Sequence, residues 1–249
     1  MTKSIHLLAW VCLLLCSGCS HYYYAPNTLQ TPFFQQQHDA RISAGLVSSN
    51  NVTGFEVHSA YSPVQYGAIM FNYFEARSIR NRSTNFGSPD DWGEGHQLEF
   101  ALGGYYPTGK YTSFSLFGGW GIGQVLNSYG PKLLADLYFQ KRFLQPTFTV
   151  QTKLFRLGMA LRFNQLEYKR GDINLGISRS ELAIIYNLKQ ASLIFFPETG
   201  LSLGLGSKAF WVDVHLNICN SRRLNELHFM PITTSATITL ELDKFWRKK

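Results

Sequence analysis

Beyond its first eighteen residues this chain has no apolar run approaching the roughly twenty residues that a membrane-crossing helix needs, so any bilayer crossing must use strands. Cysteine is scarce: four in 249 residues, at positions 12, 16, 19 and 219. Concentrated charge is missing as well. The 23 Lys and Arg outnumber 16 Asp and Glu, yet the cations are scattered apart from Arg247-Lys248-Lys249. A nucleic-acid footprint, which needs a basic stripe or patch, is thereby poorly supported, and the net charge of +7 suits anionic lipid headgroups better. At 45% hydrophobic and 16% charged the composition is that of an ordinary packed chain, sized for one large domain or two small ones. What is abundant is more telling. Aromatics reach 15%, and there are 21 glycines.

The first nineteen residues read as an export signal. Lys3 supplies a positive start, and residues 5–15 form an apolar stretch of signal-peptide length, too short to cross a bilayer. Small residues, Ser17-Gly18, precede Cys19, and this ending resembles the lipobox of bacterial lipoproteins, with Cys16 where Leu is usual. The resemblance implies a signal peptide over residues 1–18 and acylation (palmitate among the chains) at Cys19. Buried methylenes would then anchor the protein. Cys219 would be the one remaining thiol, so no intramolecular disulfide can form in the mature chain. Cys16-Ser17-Gly18-Cys19 has the spacing of a redox motif but lacks its βαβ context.

Residues 19–40 are rich in Tyr, Pro and Gln and follow neither period 2 nor period 3.6, which reads as a lipidated periplasmic tether. Fully extended it spans roughly 70 Å. From residue 41 to 249 the period becomes 2, the signature of strands with unlike faces. In segment 155–164, Phe155, Leu157, Met159, Leu161 and Phe163 share one face, and Arg156, Gly158, Ala160, Arg162 and Asn164 the other. Phe210, Val212, Val214, Leu216 and Ile218 likewise alternate with Trp211, Asp213, His215 and Asn217. Leu98, Phe100 and Leu102 oppose Gln97, Glu99 and Ala101, and the segment from Ile232 to Glu241 repeats the pattern with Thr and Ser. Such dyad segments predict an all-β, antiparallel, up-and-down transmembrane β-barrel.

Short turns are predicted at Ser62-Pro63-Val64-Gln65, Pro107-Thr108-Gly109-Lys110, Thr152-Lys153 and Gly206-Ser207-Lys208. Longer polar connections fall at residues 77–93, 122–131, 169–192 and 220–231. Strict alternation of short periplasmic turns with long outer loops gives about ten strands and puts both termini on the periplasmic side. Between residues 133 and 151 the apolar phase shifts from Leu137 and Phe139 to Leu144, Phe148 and Val150, which predicts one long strand bulged near Arg142, with an extra hairpin as the alternative. Residues 180–186 fit a short helix or a strand extension equally well.

The lipobox, Tyr24-Ala25-Pro26-Asn27, the first strand Ala40-Arg41-Ile42-Ser43-Ala44-Gly45, and Gln145-Pro146 with Phe195-Phe196-Pro197-Glu198 together resemble lipid-anchored outer-membrane β-barrel proteins of diderm bacteria whose function is unassigned. The resemblance covers nearly the whole chain and implies location and fold, not catalytic residues. It implies outer-membrane lipid as one partner and a larger outer-membrane complex as another.

On the polar face, Glu56, His58, Glu99, Asp136, Arg156, Arg162, Asp213 and His215 are expected to line the lumen, with Arg142, Glu198 and Glu241 beside them. About ten strands leave a narrow interior, so mixed charges there should pair into a plug of side chains, the competing reading being a small conducting or ligand-holding lumen. Asp213-Val214-His215 resembles the Asp-x-His of omptin-type outer-membrane proteases, but the second acidic pair those need has only Asp90 and Asp91 to draw on, consecutive in a loop. His215, His228 and Asp213 lack metal-ligand spacing. Gly118-Gly119-Trp120-Gly121-Ile122-Gly123 has no following helix pattern and reads as barrel curvature. Tyr22, Tyr23 and Tyr24 suit the headgroup level. The expectation is a structural or accessory outer-membrane barrel without enzyme activity or cofactor, a soluble lipocalin-like barrel being the alternative architecture.

Overall fold

A computed structural model describes residues 21–49, 52–78, 91–129, 134–173, 179–190, 193–219 and 229–246. Ten antiparallel strands form one closed sheet: β1 (Ala40–Ser49), β2 (Val52–Val64), β3 (Gly67–Ser78), β4 (Asp91–Gly109), β5 (Thr112–Tyr129), β6 (Leu134–Gln151), β7 (Phe155–Ile173), β8 (Ile194–Ser207), β9 (Phe210–Cys219) and β10 (Ile232–Glu241). Each strand pairs with its sequence neighbours, and β1 closes on β10 with Arg41 opposite Glu241 and Ser48 opposite Thr234. Helix α1 (Arg179–Gln190) and the short helix α2 (Asp243–Trp246) complete the described elements. The closed, up-and-down, ten-stranded architecture is the one the alternation implies.

Period 2 is read out literally. Every strand turns an apolar side chain outward, among them Leu46, Phe55, Phe71, Leu102, Leu116, Leu144, Phe163, Leu203, Val214 and Ile238, all exposed. The opposite face carries the buried Arg, Glu, Asn, Ser and Thr side chains. This is the reverse of a soluble barrel, whose apolar face would point inward.

The four short turns stand at one end of the barrel. The other end carries three long connections, between β3 and β4, β7 and β8, and β9 and β10. Against the expected strict alternation it also carries the two-residue link between β1 and β2 and a four-residue link between β5 and β6, so residues 122–129, expected in a long connection, belong to β5. Strands β4 to β7 run to 18 or 19 residues, well beyond the nine to eleven or so that cross a bilayer. Their surplus lies at the long-loop end, where the outward face turns polar.

Strand β6 is a single element, as the sequence predicts, but Arg142 is not at a bulge: it pairs in register with Gln165. The extra residue belongs to β7, where Lys169 is skipped between Tyr168, opposite Phe139, and Arg170, opposite Tyr138. No phase shift occurs in β6. Leu137, Phe139 and Phe143 are buried in the lumen while Leu144 and Phe148 face out, so both faces of this strand are apolar over part of its length. For the same reason Asp136 and Arg142, expected inside, lie on the outward face. Asp136 accepts a hydrogen bond from Gln124 there at 2.8 Å. Residues 180–186 belong to helix α1, which buries Ile185 and Leu188, three residues apart on one helical face, against the top of the lumen.

Candidate functional site

The segment expected to hang free as a tether runs through the barrel. Residues 21–39 enter at the long-loop end, where His21 Nε2 lies 2.8 Å from the Ser128 carbonyl at the far end of β5. They leave at the short-turn end, where the Gln35 amide donates to the Thr112 carbonyl at the start of the same strand, 3.2 Å away. Tyr23, Tyr24, Asn27, Thr28, Leu29 and Phe34 are all at most 2% exposed, which a solvated tether could not achieve. At the exit the chain reverses into β1 through His38, whose φ is 64°. The Asp39 carboxylate fixes that bend by accepting from the Gln35 and Gln36 backbone N–H groups at 2.7 and 3.0 Å, and Ser62 receives and returns main-chain bonds on the β2 side. Residues 19 and 20 lie outside the described residues, and so do the signal segment and Cys19.

Three layers surround the segment. At the short-turn end Phe34 packs among Ala60, Ala68, Met70, Ala101, Tyr105, Phe117 and Phe143 on one side. Across the lumen Arg41 pairs with Glu241 at 2.8 Å, and Arg156 pairs with Asp213 and stacks its guanidinium 5.0 Å from the Trp211 ring.

The middle layer is a polar waist. Glu99, fully buried, pairs with Lys141 and with Arg162, the latter at 3.0 Å, and accepts from Asn72 at 3.0 Å. Arg162 also donates to Gln145 at 2.8 Å and approaches Glu198 at 3.9 Å, with its guanidinium over the Phe143 ring. Asn27 of the segment sits at the centre. Its amide nitrogen donates to Glu99 at 3.1 Å, its side-chain oxygen accepts from Gln97 at 2.8 Å, and its carbonyl accepts from Asn217 at 2.9 Å. Thr28 donates through both its backbone N–H and its hydroxyl to Glu56, which also accepts from Ser235 and lies 3.2 Å from His58 Nε2. Five lumen carboxylates (Glu56, Glu99, Glu198, Asp213, Glu241) thus face four permanent cations (Arg41, Lys141, Arg156, Arg162) and His58. The balance is close to neutral, as burial in so narrow a space requires.

Above the waist lies an aromatic chamber. Tyr24 packs edge-on to Phe139 and Phe196 and beside Phe229, and Phe139 meets Tyr168 edge-on. Main-chain bonds hold the segment here too: Met230 N–H donates to the Tyr24 carbonyl at 2.9 Å and the Tyr168 hydroxyl to the Tyr23 carbonyl at 2.6 Å. Tyr24 joins the two layers, because its hydroxyl donates to Glu198 and accepts from Lys141, both at 2.8 Å. The three tyrosines are therefore not a headgroup belt.

Several glycines are spaces rather than hinges. A Cβ on Gly200 would come 2.7 Å from the Leu29 Cβ, and one on Gly158 2.3 Å from the Thr31 hydroxyl, so both make room for the segment. Gly119 and Gly123 lie inside β5, where a Cβ would strike the rings of Phe143 and Phe139.

Of the expected lumen residues, Glu56, His58, Glu99, Arg156, Arg162, Asp213 and His215 have buried side chains on the inward face, and Asp136 does not. Lys141, the neighbour of the misplaced Arg142, is the inward cation of β6. Asp213 and His215 share the inward face but bond different partners. Asp213 is taken by Arg156 and accepts from Thr239 at 2.7 Å, while His215 Nε2 lies 3.1 Å from the Thr237 hydroxyl. Among the described residues no group of His, Cys, Asp and Glu is arranged to hold a metal ion; His228 and Asp90 lie outside them. At the long-loop end, the gap bounded by Tyr22, Ala25, Val52, Asn127 and Met230 measures about 20 Å³, room for about one water molecule.

The fold and its filled interior define a class, the closed antiparallel barrel with an internal segment. No family model matches the chain, and no curated protein matches it. Among solved structures, it is similar to the translocator domain of the autotransporter NalP from Neisseria meningitidis, with 9% identity and a TM-score of 0.36 over 81% of this chain and 85% of that one. CdiB from Acinetobacter baumannii aligns with 9% identity and a TM-score of 0.24 over 83% of this chain and 60% of that one. Likeness at this level carries no argument about activity.

Proposed function

We propose that this protein is a lipid-anchored outer-membrane β-barrel that acts as a closed structural element or accessory subunit of an envelope assembly, without enzyme activity. The outward apolar side chains of all ten strands support the membrane setting. The lipobox-like ending at Cys19 supports the anchor. Outer-membrane lipid and a larger protein complex are the partners this reading names, and nucleic acid is not one.

The observation that carries the reading is Asn27. A residue from outside the sheet is bonded simultaneously to β4 through Glu99 and Gln97 and to β9 through Asn217, on opposite walls. A lumen spanned this way supports a closed barrel over a conducting or ligand-holding one. The pairing of Asp213 with Arg156 and the bonds of Glu56 and Glu99 to the segment support a structural role for these groups.

The test is single-channel recording in planar bilayers. The intact protein should give no reproducible open-channel steps. Asn27→Ala with Thr28→Ala, which removes the segment's side-chain bonds to Glu99, Gln97 and Glu56, should introduce intermittent steps whose size or ion selectivity changes when Arg156 and Arg162 are replaced. Regular steps from the unmodified protein would overturn the closed-barrel reading in favour of a small channel.

A further inference from the structure

The route of residues 21–39 has a topological consequence for whatever precedes it. The segment is anchored at both mouths, by His21 and Tyr23 near Ser128, Tyr129 and Tyr168, and by Gln35 and Asp39 near Thr112 and Ser62. His21, the first described residue, therefore stands at the long-loop mouth. The last described residues, in α2, stand at the short-turn mouth, where the Leu242 N–H donates to the Ala40 carbonyl at 2.8 Å. The two ends of the described chain lie at opposite mouths, not at the same one.

Resting on the outer-membrane reading above, we infer that the barrel displays its amino terminus on the cell surface, so that the acyl chains on Cys19 enter the outer leaflet, opposite the face that holds the carboxyl terminus. Two features fix the direction. Barrels of this type place short turns in the periplasm and long loops outside. The short turns here share their mouth with Asp39 and α2, and the long connections share theirs with His21. Cys19 precedes His21 by two residues, a reach of at most about 7 Å, far too little to return through the barrel. Sliding is blocked as well. Withdrawing the segment would strip Glu56 and Glu99 of bonds made by Thr28 and Asn27 and would drag Leu29 past the wall at Gly200, where its Cβ already leaves no room for a side chain. The surface-facing mouth would then present an acylated amino terminus beside helix α1, a lipid-tethered rim and not a periplasmic leash.

The experiment places one epitope between Ser20 and His21 and another after Lys249, and probes intact cells with protease and antibody before and after the outer membrane is permeabilised. In parallel, Thr31→Cys with Ser202→Cys in a Cys219→Ser background tests the threading itself, since the two native hydroxyls lie 2.6 Å apart. The expected result is a disulfide in the folded protein, an amino-terminal epitope lost on intact cells and a carboxyl-terminal epitope lost only after permeabilisation. A disulfide combined with a protected amino-terminal epitope would overturn surface display and leave the plugged barrel standing. Absence of the disulfide in a barrel that still migrates as folded would overturn both.

Discussion

The waist and the aromatic chamber hold the same segment by opposite means. In the waist, Asn27 and Thr28 are fixed by directed bonds to Glu99, Gln97, Asn217 and Glu56. In the chamber, Tyr24 is held mostly by ring contacts with Phe139, Phe196 and Phe229. Ring packing supplies most of the burial free energy but tolerates small displacements, whereas a network of buried charges is satisfied in one register only. Burial in the chamber and register in the waist are therefore separable.

The sharpest way to break this division is Glu99→Ala. It leaves Lys141 and Arg162 buried beside each other without their shared carboxylate, and should cost about 3–5 kcal/mol. The readout is the temperature at which the fast-migrating folded form disappears on detergent gels. Next, Phe196→Ala should cost about 3 kcal/mol through the cavity it leaves, yet the cysteine pair at positions 31 and 202 should still form its bond, because register is set below it. If that bond fails, chamber and waist are one unit. Tyr24→Phe keeps the ring and removes the hydroxyl between Glu198 and Lys141, and a loss of about 1–3 kcal/mol in urea unfolding is expected. A neutral outcome would place Tyr24 wholly in the chamber. Arg77→Ala, which breaks exposed pairs with Glu75 and Glu94 on the outward face, should change stability by less than about 1 kcal/mol and serves as the baseline.

Face assignment was legible in the sequence wherever inward residues were polar and outward ones apolar, as in Phe155 to Asn164. It failed in β6, where Leu137 and Phe139 point inward into the chamber and made the polar Asp136 and Arg142 look like lumen residues. An apolar inner layer cancels the contrast on which period-2 reading depends. The internal segment was illegible for a different reason. An extended chain surrounded on all sides buries successive side chains in every direction and has no period to detect. Its composition held the available signal: between residues 20 and 37 there is no Asp, Glu, Lys or Arg, while Tyr22, Tyr23, Tyr24, Phe33 and Phe34 are aromatic. A solvated linker would reverse that balance.

The seam between β1 and β10 also constrains how the molecule assembles. A ring closed beforehand would have to admit residues 21–39 end-on through an interior that Arg162, Lys141 and Phe143 already occupy. A sheet that curls around the segment and zips at Arg41–Glu241 through Ser48–Thr234 meets no such obstacle. Closure and enclosure become a single event, with the segment acting as the mandrel on which the cylinder is wound.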